Sequence, residues 1–158
     1  MGVKMGLLIP LFAATLEHVP FPMGEAAVVR VGHEILIALN AMHAKNWCHN
    51  DLKPSNIFID WSGRACLGDF GAARVMNADA SERTKAYCPS DFDFASATIA
   101  GDKLQLAITL LECAGILNVE SSETLSLGSI RDMVSTMTHN SPLLYELISE
   151  LIKNVSSI

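Results

Sequence analysis

His49-Asn50-Asp51-Leu52-Lys53-Pro54-Ser55-Asn56 is followed, thirteen residues after Asn56, by Asp69-Phe70-Gly71. Each stretch alone is a weak signal, since an Asp-Phe-Gly tripeptide arises by chance and a loop Asp or Asn commonly caps a turn. Their surroundings sharpen them. Between the two, Ile57-Phe58-Ile59-Asp60 and Ala65-Cys66-Leu67 flank Trp61-Ser62-Gly63-Arg64, which predicts a short hairpin with glycine in its turn. Ahead of them, Val28, Val31, Ile35, Ala38/Leu39 and Met42 recur at three- and four-residue steps, predicting an amphipathic helix over 25–45. Arg30, Glu34 and Asn40 fall on its other side.

Farther out, residues 5–16 predict a buried strand running into a loop, which Val19-Pro20-Phe21-Pro22 ends. Residues 72–101 are polar and aperiodic and predict one long loop, a length that usually carries function. From Asp102 to Ile116 the chain is apolar on nearly every side, which predicts a buried central helix. Ser129 with Asp132 three positions on predicts a capping box that opens another helix. A last helix starts at Ser141-Pro142 and carries Leu143/Leu144, Leu147/Ile148 and Leu151/Ile152 on one stripe. The fold class is therefore mainly α with a small β-hairpin.

Composition narrows the function classes. The 158 residues suffice for one ordinary domain, and 50% of them are hydrophobic against 18% charged, which excludes disorder. Eleven Lys and Arg against seventeen Asp and Glu give a net charge of −6, without the basic footprint of a nucleic-acid binder. The mean hydropathy of +0.31 is high, yet the longest apolar run, 5–16, is too short to span a bilayer. The first twenty residues imitate a signal peptide, with Lys4 before an apolar stretch and Ala13-Ala14 after it. Cys48, Cys66, Cys88 and Cys113 form no CxxC pair and the five histidines show no metal-type spacing. Reduced thiols in a cytoplasmic protein is the expectation.

Taken together and in this order, 49–56 and 69–71 resemble the catalytic loop and metal-binding loop of the eukaryotic protein kinases, serine/threonine type. The resemblance implies a kinase-like large, C-terminal lobe over 1–158, with a catalytic loop at 49–56, a metal loop at 69–71 and an activation segment over 69–91. It implies that Asp51 accepts the proton of a substrate hydroxyl and that Lys53 offsets charge on the transferred phosphoryl group. Asn56 and Asp69 would bind the cofactor ATP through Mg²⁺, an ion suited to hard oxygen ligands. Thr84, in Thr84-Lys85-Ala86-Tyr87, would contact the catalytic aspartate, and Asp102 would bind the catalytic-loop backbone. Residues 5–16 resemble the strand and hinge, which would bring backbone near Ile9 and Leu11 to adenine.

Departures from the family pattern are equally specific. No GxGxxG loop and no phosphate-gripping strand lysine precede the hinge-like stretch, so the chain reads as a lobe without its N-lobe. Asn50 stands where an arginine normally receives an activation-loop phosphate, and Cys88-Pro89-Ser90-Asp91 replaces Ala-Pro-Glu. The expected function is ATP-dependent phosphorylation of protein serine or threonine, weak or absent in this chain alone. The alternatives are a non-catalytic, pseudokinase-like interaction lobe and a small-molecule phosphotransferase. A protein substrate, and an N-lobe or partner protein covering the cleft, are the expected partners; nucleic acid is not.

Overall fold

The apolar stripe of residues 25–45 folds as helix α1, Glu25–His43, and buries Val28, Val31, Ile35 and Leu39. It ends two residues short of the predicted Lys45, because Asn46 turns left-handed (φ 64°) and returns its N–H to the His43 carbonyl at 2.9 Å. The computed structural model from which these contacts come describes residues 11–80, 82–119 and 125–156.

Helix α2, Ile99–Cys113, is the centre of the core, with Leu104, Leu106, Ile108, Leu110 and Leu111 wholly removed from solvent. It opens three residues before the predicted start, at the Thr98 cap, whose Oγ1 accepts from Gly101 N at 3.0 Å. Asp102 therefore lies inside the first turn. Helix α3, Leu127–Thr136, also starts earlier than expected: Ser126 and Ser129 form the capping box, and Asp132 has no part in it. Helix α4, Pro142–Ile152, buries Leu144, Leu147, Ile148, Leu151 and Ile152 and leaves Leu143 exposed. Its first N–H groups are capped from across the fold, as Glu25 Oε1 accepts from Leu143 N at 2.9 Å and Leu144 N at 3.1 Å.

Helices α1, α2 and α4 pack on one another, and Gly32 lets them close. A Cβ there would come within 2.6 Å of Leu147 Cδ2 and 2.9 Å of Leu110 Cδ1. The predicted hairpin is present as strands β3, Ile57–Ile59, and β4, Ala65–Leu67, paired antiparallel with Phe58 opposite Cys66. Asp60 Oδ1 organises the turn by accepting from the N–H groups of Ser62 and Arg64 at 2.8 and 2.9 Å.

Of the strand read over 5–16, residues 5–10 lie outside the described residues; within the rest, the half-buried pair β1, Ala14–Thr15, adds to β3 antiparallel and gives the order β1-β3-β4. The loop read over 72–101 is not featureless. Strand β2, Trp47–Cys48, pairs with β5, Arg74–Val75, and a bridge joins Asp79 to Ser96. Periodicity cannot reveal strands of two residues, whose partners are distant in sequence. The fold class stands in its elements: mainly α with a small β-hairpin. No described helix is long and apolar enough to cross a membrane.

Candidate active site

Asp102 anchors the loop 49–56. Its side chain is buried, and Oδ1 accepts from Asn50 N at 2.7 Å while Oδ2 accepts from His49 N at 2.9 Å. His43 Nε2, at the end of α1, meets the same Oδ2 at 2.8 Å. Gln105, one helical turn on, holds the next stretch: its Oε1 accepts from Leu52 N at 3.1 Å and its Nε2 donates to Asn50 O at 3.2 Å. Two polar residues on an otherwise apolar helix thus satisfy the buried backbone of 49–52, which would be costly to bury unpaired.

Asn50 is the position that departs from the family arginine. Its φ of 72° is a conformation that asparagine tolerates better than most residues. Its Nδ2 reaches Ala72 O at 3.4 Å, on the segment just past Gly71. His49, fully buried, donates from Nε2 to Gly68 O at 2.9 Å, and its ring meets that of Phe70 edge-on at 5.5 Å. The loops at 49–56 and 69–71 are tied a second time where Gly68 N donates to Asn56 O at 3.0 Å.

Around Asp51 the expected residues converge. Lys53 Nζ lies 3.0 Å from Asp51 Oδ2 and donates to Thr84 Oγ1 at 2.7 Å. Thr84 N donates to Asp51 Oδ1 at 2.7 Å. Asn56 Nδ2 donates to both the carbonyl and the Oδ2 of Asp51, at 2.7 and 3.1 Å. Burial opposes the charge on Asp51, but the hydrogen bonds from Thr84 and Lys53 outweigh it and hold the carboxyl below its usual range. Asp51 is thus a carboxylate at neutral pH, with 14% of its side chain still exposed.

Asp69 is displayed differently. It is exposed, has a φ of 53°, and accepts at Oδ1 from Gly71 N at 3.3 Å. Its carboxylate sits in no hydrogen bond to Asp51, Lys53 or Asn56 among the described contacts. Leu11, 80% exposed, lines an open depression of about 580 Å³ with Phe12, Ala14, His18 and Phe58. Ile9 lies outside the described residues.

Phe58 went unnoticed in the sequence, where it reads as one apolar residue of a strand. Its ring stacks near that of Phe12 at 5.0 Å and occupies the space beside Gly68, where a Cβ would approach within 2.5 Å. Its position two residues past Asn56, on a strand that alternates sides, was the available signal. Asp91, which stands near the place of the family glutamate, accepts from Leu127 N at 2.7 Å and so caps α3.

A helical lobe with an Asp-Lys-Asn loop pinned to a buried helix aspartate defines the class as kinase-like. The protein kinase domain family matches residues 9–103, and the chain belongs to that family. Its relatives include the serine/threonine-protein kinase US3 of human herpesvirus 2, 41% identical over 58 residues, which are 37% of this chain and 12% of that protein. Human cyclin-dependent kinase 20 is 38% identical over 69 residues, 44% of this chain and 20% of that protein. The matched stretch therefore spans a fifth or less of these two relatives. The Cydia pomonella granulovirus kinase PK-1 has a similar fold, with a TM-score of 0.64 over 90% of this chain and 67% of that one, at 17% identity.

Proposed function

We propose that this chain performs phosphoryl transfer from Mg-ATP to serine or threonine hydroxyls of proteins, as its family does. The observation that carries the reading is the cluster at Asp51, in which Lys53, Asn56 and Thr84 all bond one ionised carboxylate. Asp51 receives the hydrogen of the acceptor hydroxyl and points the hydroxyl oxygen at its target. Lys53, held between Asp51 and Thr84, places positive charge beside the transferred group.

The donor set fits the implied metal nucleotide. Asn56 commits its nitrogen to Asp51 and offers its oxygen, and Asp69 offers an exposed carboxylate; both are hard oxygen ligands that suit Mg²⁺. The apolar depression lined by Leu11 and Phe58 suits the face of an adenine. Bound Mg-ATP supplies the phosphoryl group and the cation charge that neutralises it. Residues 9–103 match a protein kinase family and the named relatives are protein kinases, which favours a protein acceptor over a small molecule.

The test is transfer of labelled γ-phosphate to a generic serine/threonine protein, together with the thermal shift caused by Mg-ATP. Transfer that depends on Mg²⁺ is the expected result. Asp51→Asn should abolish transfer and keep the shift; Asp69→Asn should lose both. Mg-ATP binding with no transfer, unchanged by Asp51→Asn, would instead establish the non-catalytic interaction lobe.

A further inference from the structure

The two departures from the family pattern, at Asn50 and at Cys88-Pro89-Ser90-Asp91, meet on one residue of α2, Gln105. Gln105 is buried, and its oxygen and both of its amide hydrogens are engaged. Oε1 accepts from Leu52 N, one Nε2 hydrogen goes to Asn50 O, and the other points to Cys88 Sγ at 3.7 Å. A reversed amide would set its nitrogen against the Leu52 N–H and its oxygen against the Asn50 carbonyl, so one orientation alone serves. Cys88 passes the connection on: its Sγ donates to Thr84 O at 3.5 Å, and its own N donates to Lys85 O at 3.0 Å. Thr84 is the residue that sets its N–H on Asp51 and its hydroxyl on Lys53. Beyond Cys88 the chain is fixed separately, since Ser90 N donates to Leu125 O at 2.9 Å and Asp91 caps α3.

We propose that Gln105 and Cys88 are positioning residues: the Gln105 amide ties the loop 49–56 to Cys88, and Cys88 keeps Thr84 seated on Asp51. The inference rests on the phosphoryl-transfer reading and deepens it by naming what holds the Asp51 cluster in register. Both residues act through Thr84 and not on the reacting groups themselves. The family arginine holds its activation segment by pairing with a phosphate. Asn50 carries no charge for such a pair, and it spends its Nδ2 on Ala72 O and its carbonyl on Gln105. A neutral amide–thiol link replaces that pairing and needs no phosphate. Neutral hydrogen bonds contribute modestly, and those to sulfur less, so losing the link should loosen Thr84 without unfolding the lobe. Gln105 also satisfies the buried Leu52 N–H, which makes Cys88 the cleaner position to probe.

The experiment reads the Thr84 amide directly, by hydrogen exchange followed by NMR in the full chain, with the Ile108 N–H inside α2 as the reference for global opening. Cys88→Ala should speed Thr84 exchange about fivefold, the worth of about one hydrogen bond, and leave Ile108 unchanged. Cys88→Ser, which keeps a donor and an acceptor, should restore part of the protection. Gln105→Glu keeps the acceptor for Leu52 N, but as a carboxylate it donates to neither Asn50 O nor Cys88 Sγ, and should loosen Thr84 at least as much. In transfer of labelled phosphate from Mg-ATP to a generic serine/threonine protein, Cys88→Ala should lower kcat about fivefold and leave the KM for Mg-ATP unchanged. Thr84 exchange unmoved in Cys88→Ala, or quickened only together with Ile108, overturns the positioning role even if Gln105→Glu folds poorly. A loosened Thr84 with no transfer by the wild type upholds the link and removes the phosphoryl-transfer reading. Transfer with a kcat indifferent to Cys88→Ala keeps that reading and removes the positioning role.

Discussion

At the scale of single residues, the site is organised by two aspartates in opposite environments. Asp102 is buried and saturated, with two backbone N–H groups and His43 on its two oxygens. Removing it strands those donors away from water. Asp102→Ala should therefore cost about 3–5 kcal/mol in chemical denaturation, whereas Lys103→Ala beside it, part-exposed, should cost under about 1 kcal/mol. Asp51 is reachable, and its charged form is the favoured one in the folded state. Because its folded pKa is depressed below 3.8, its contribution is complete above that value and disappears as pH falls through the lower folded one. Wild type should lose more stability than Asp51→Asn between about pH 5 and pH 2. Parallel stability curves for the two would exclude the hydrogen-bonded, ionised Asp51 described here.

At the scale of elements, small close contacts decide how the hairpin and helices meet. Gly68 follows β4 beside the ring of Phe58 on β3, with 2.5 Å between a hypothetical Cβ and the ring atoms Cδ2 and Cε2. Gly68→Ala should destabilise by about 1–3 kcal/mol. Phe58→Ala in the same chain should recover part of that loss, a non-additivity expected of residues in contact. Any Mg-ATP thermal shift should shrink in Gly68→Ala, since Asp69 follows directly. The N-terminus of α4 tells of another long-range contact. Glu25 provides the cap that Ser141 does not make, so Glu25→Ala should cost about 1 kcal/mol. Ser141→Ala should cost less in the same urea titration. At α3, Ser126 displaced the predicted Ser129 as the cap because its hydroxyl receives Ser129 N at 3.1 Å.

For the whole molecule, the apolar content that set the high mean hydropathy is concentrated in one cluster around α2, which joins α1, α3, α4 and the hairpin. The same burial governs the thiols. Cys48 and Cys113 are buried, and desolvation, the larger cause in each, pushes both up to about 12. Both should resist a thiol reagent at pH 8 until the protein unfolds, while part-exposed Cys66 should label in the native state. Native-state labelling of Cys113 at the rate of Cys66 would show that α2 does not sit in a closed core. Leu11 and Trp61 remain exposed, at 80% and 74%. Trp61 Nε1 donates to Leu11 O at 3.2 Å, tying the hairpin turn to the hinge-like segment.

Read alone, the sequence determined the family and most of the helices. Residues Asp51, Lys53, Asn56 and Asp69 are legible because their order and spacing are local properties of the chain, and 3.6-residue periodicity marks α1 and α4 directly. Only the tertiary structure decided what those residues bond. Thr84 approaches Asp51 across 33 positions, Asp102 holds His49 across 53, and β5 finds β2 across the length of the hairpin. Such pairings leave no period in the sequence, since they depend on where separate elements pack.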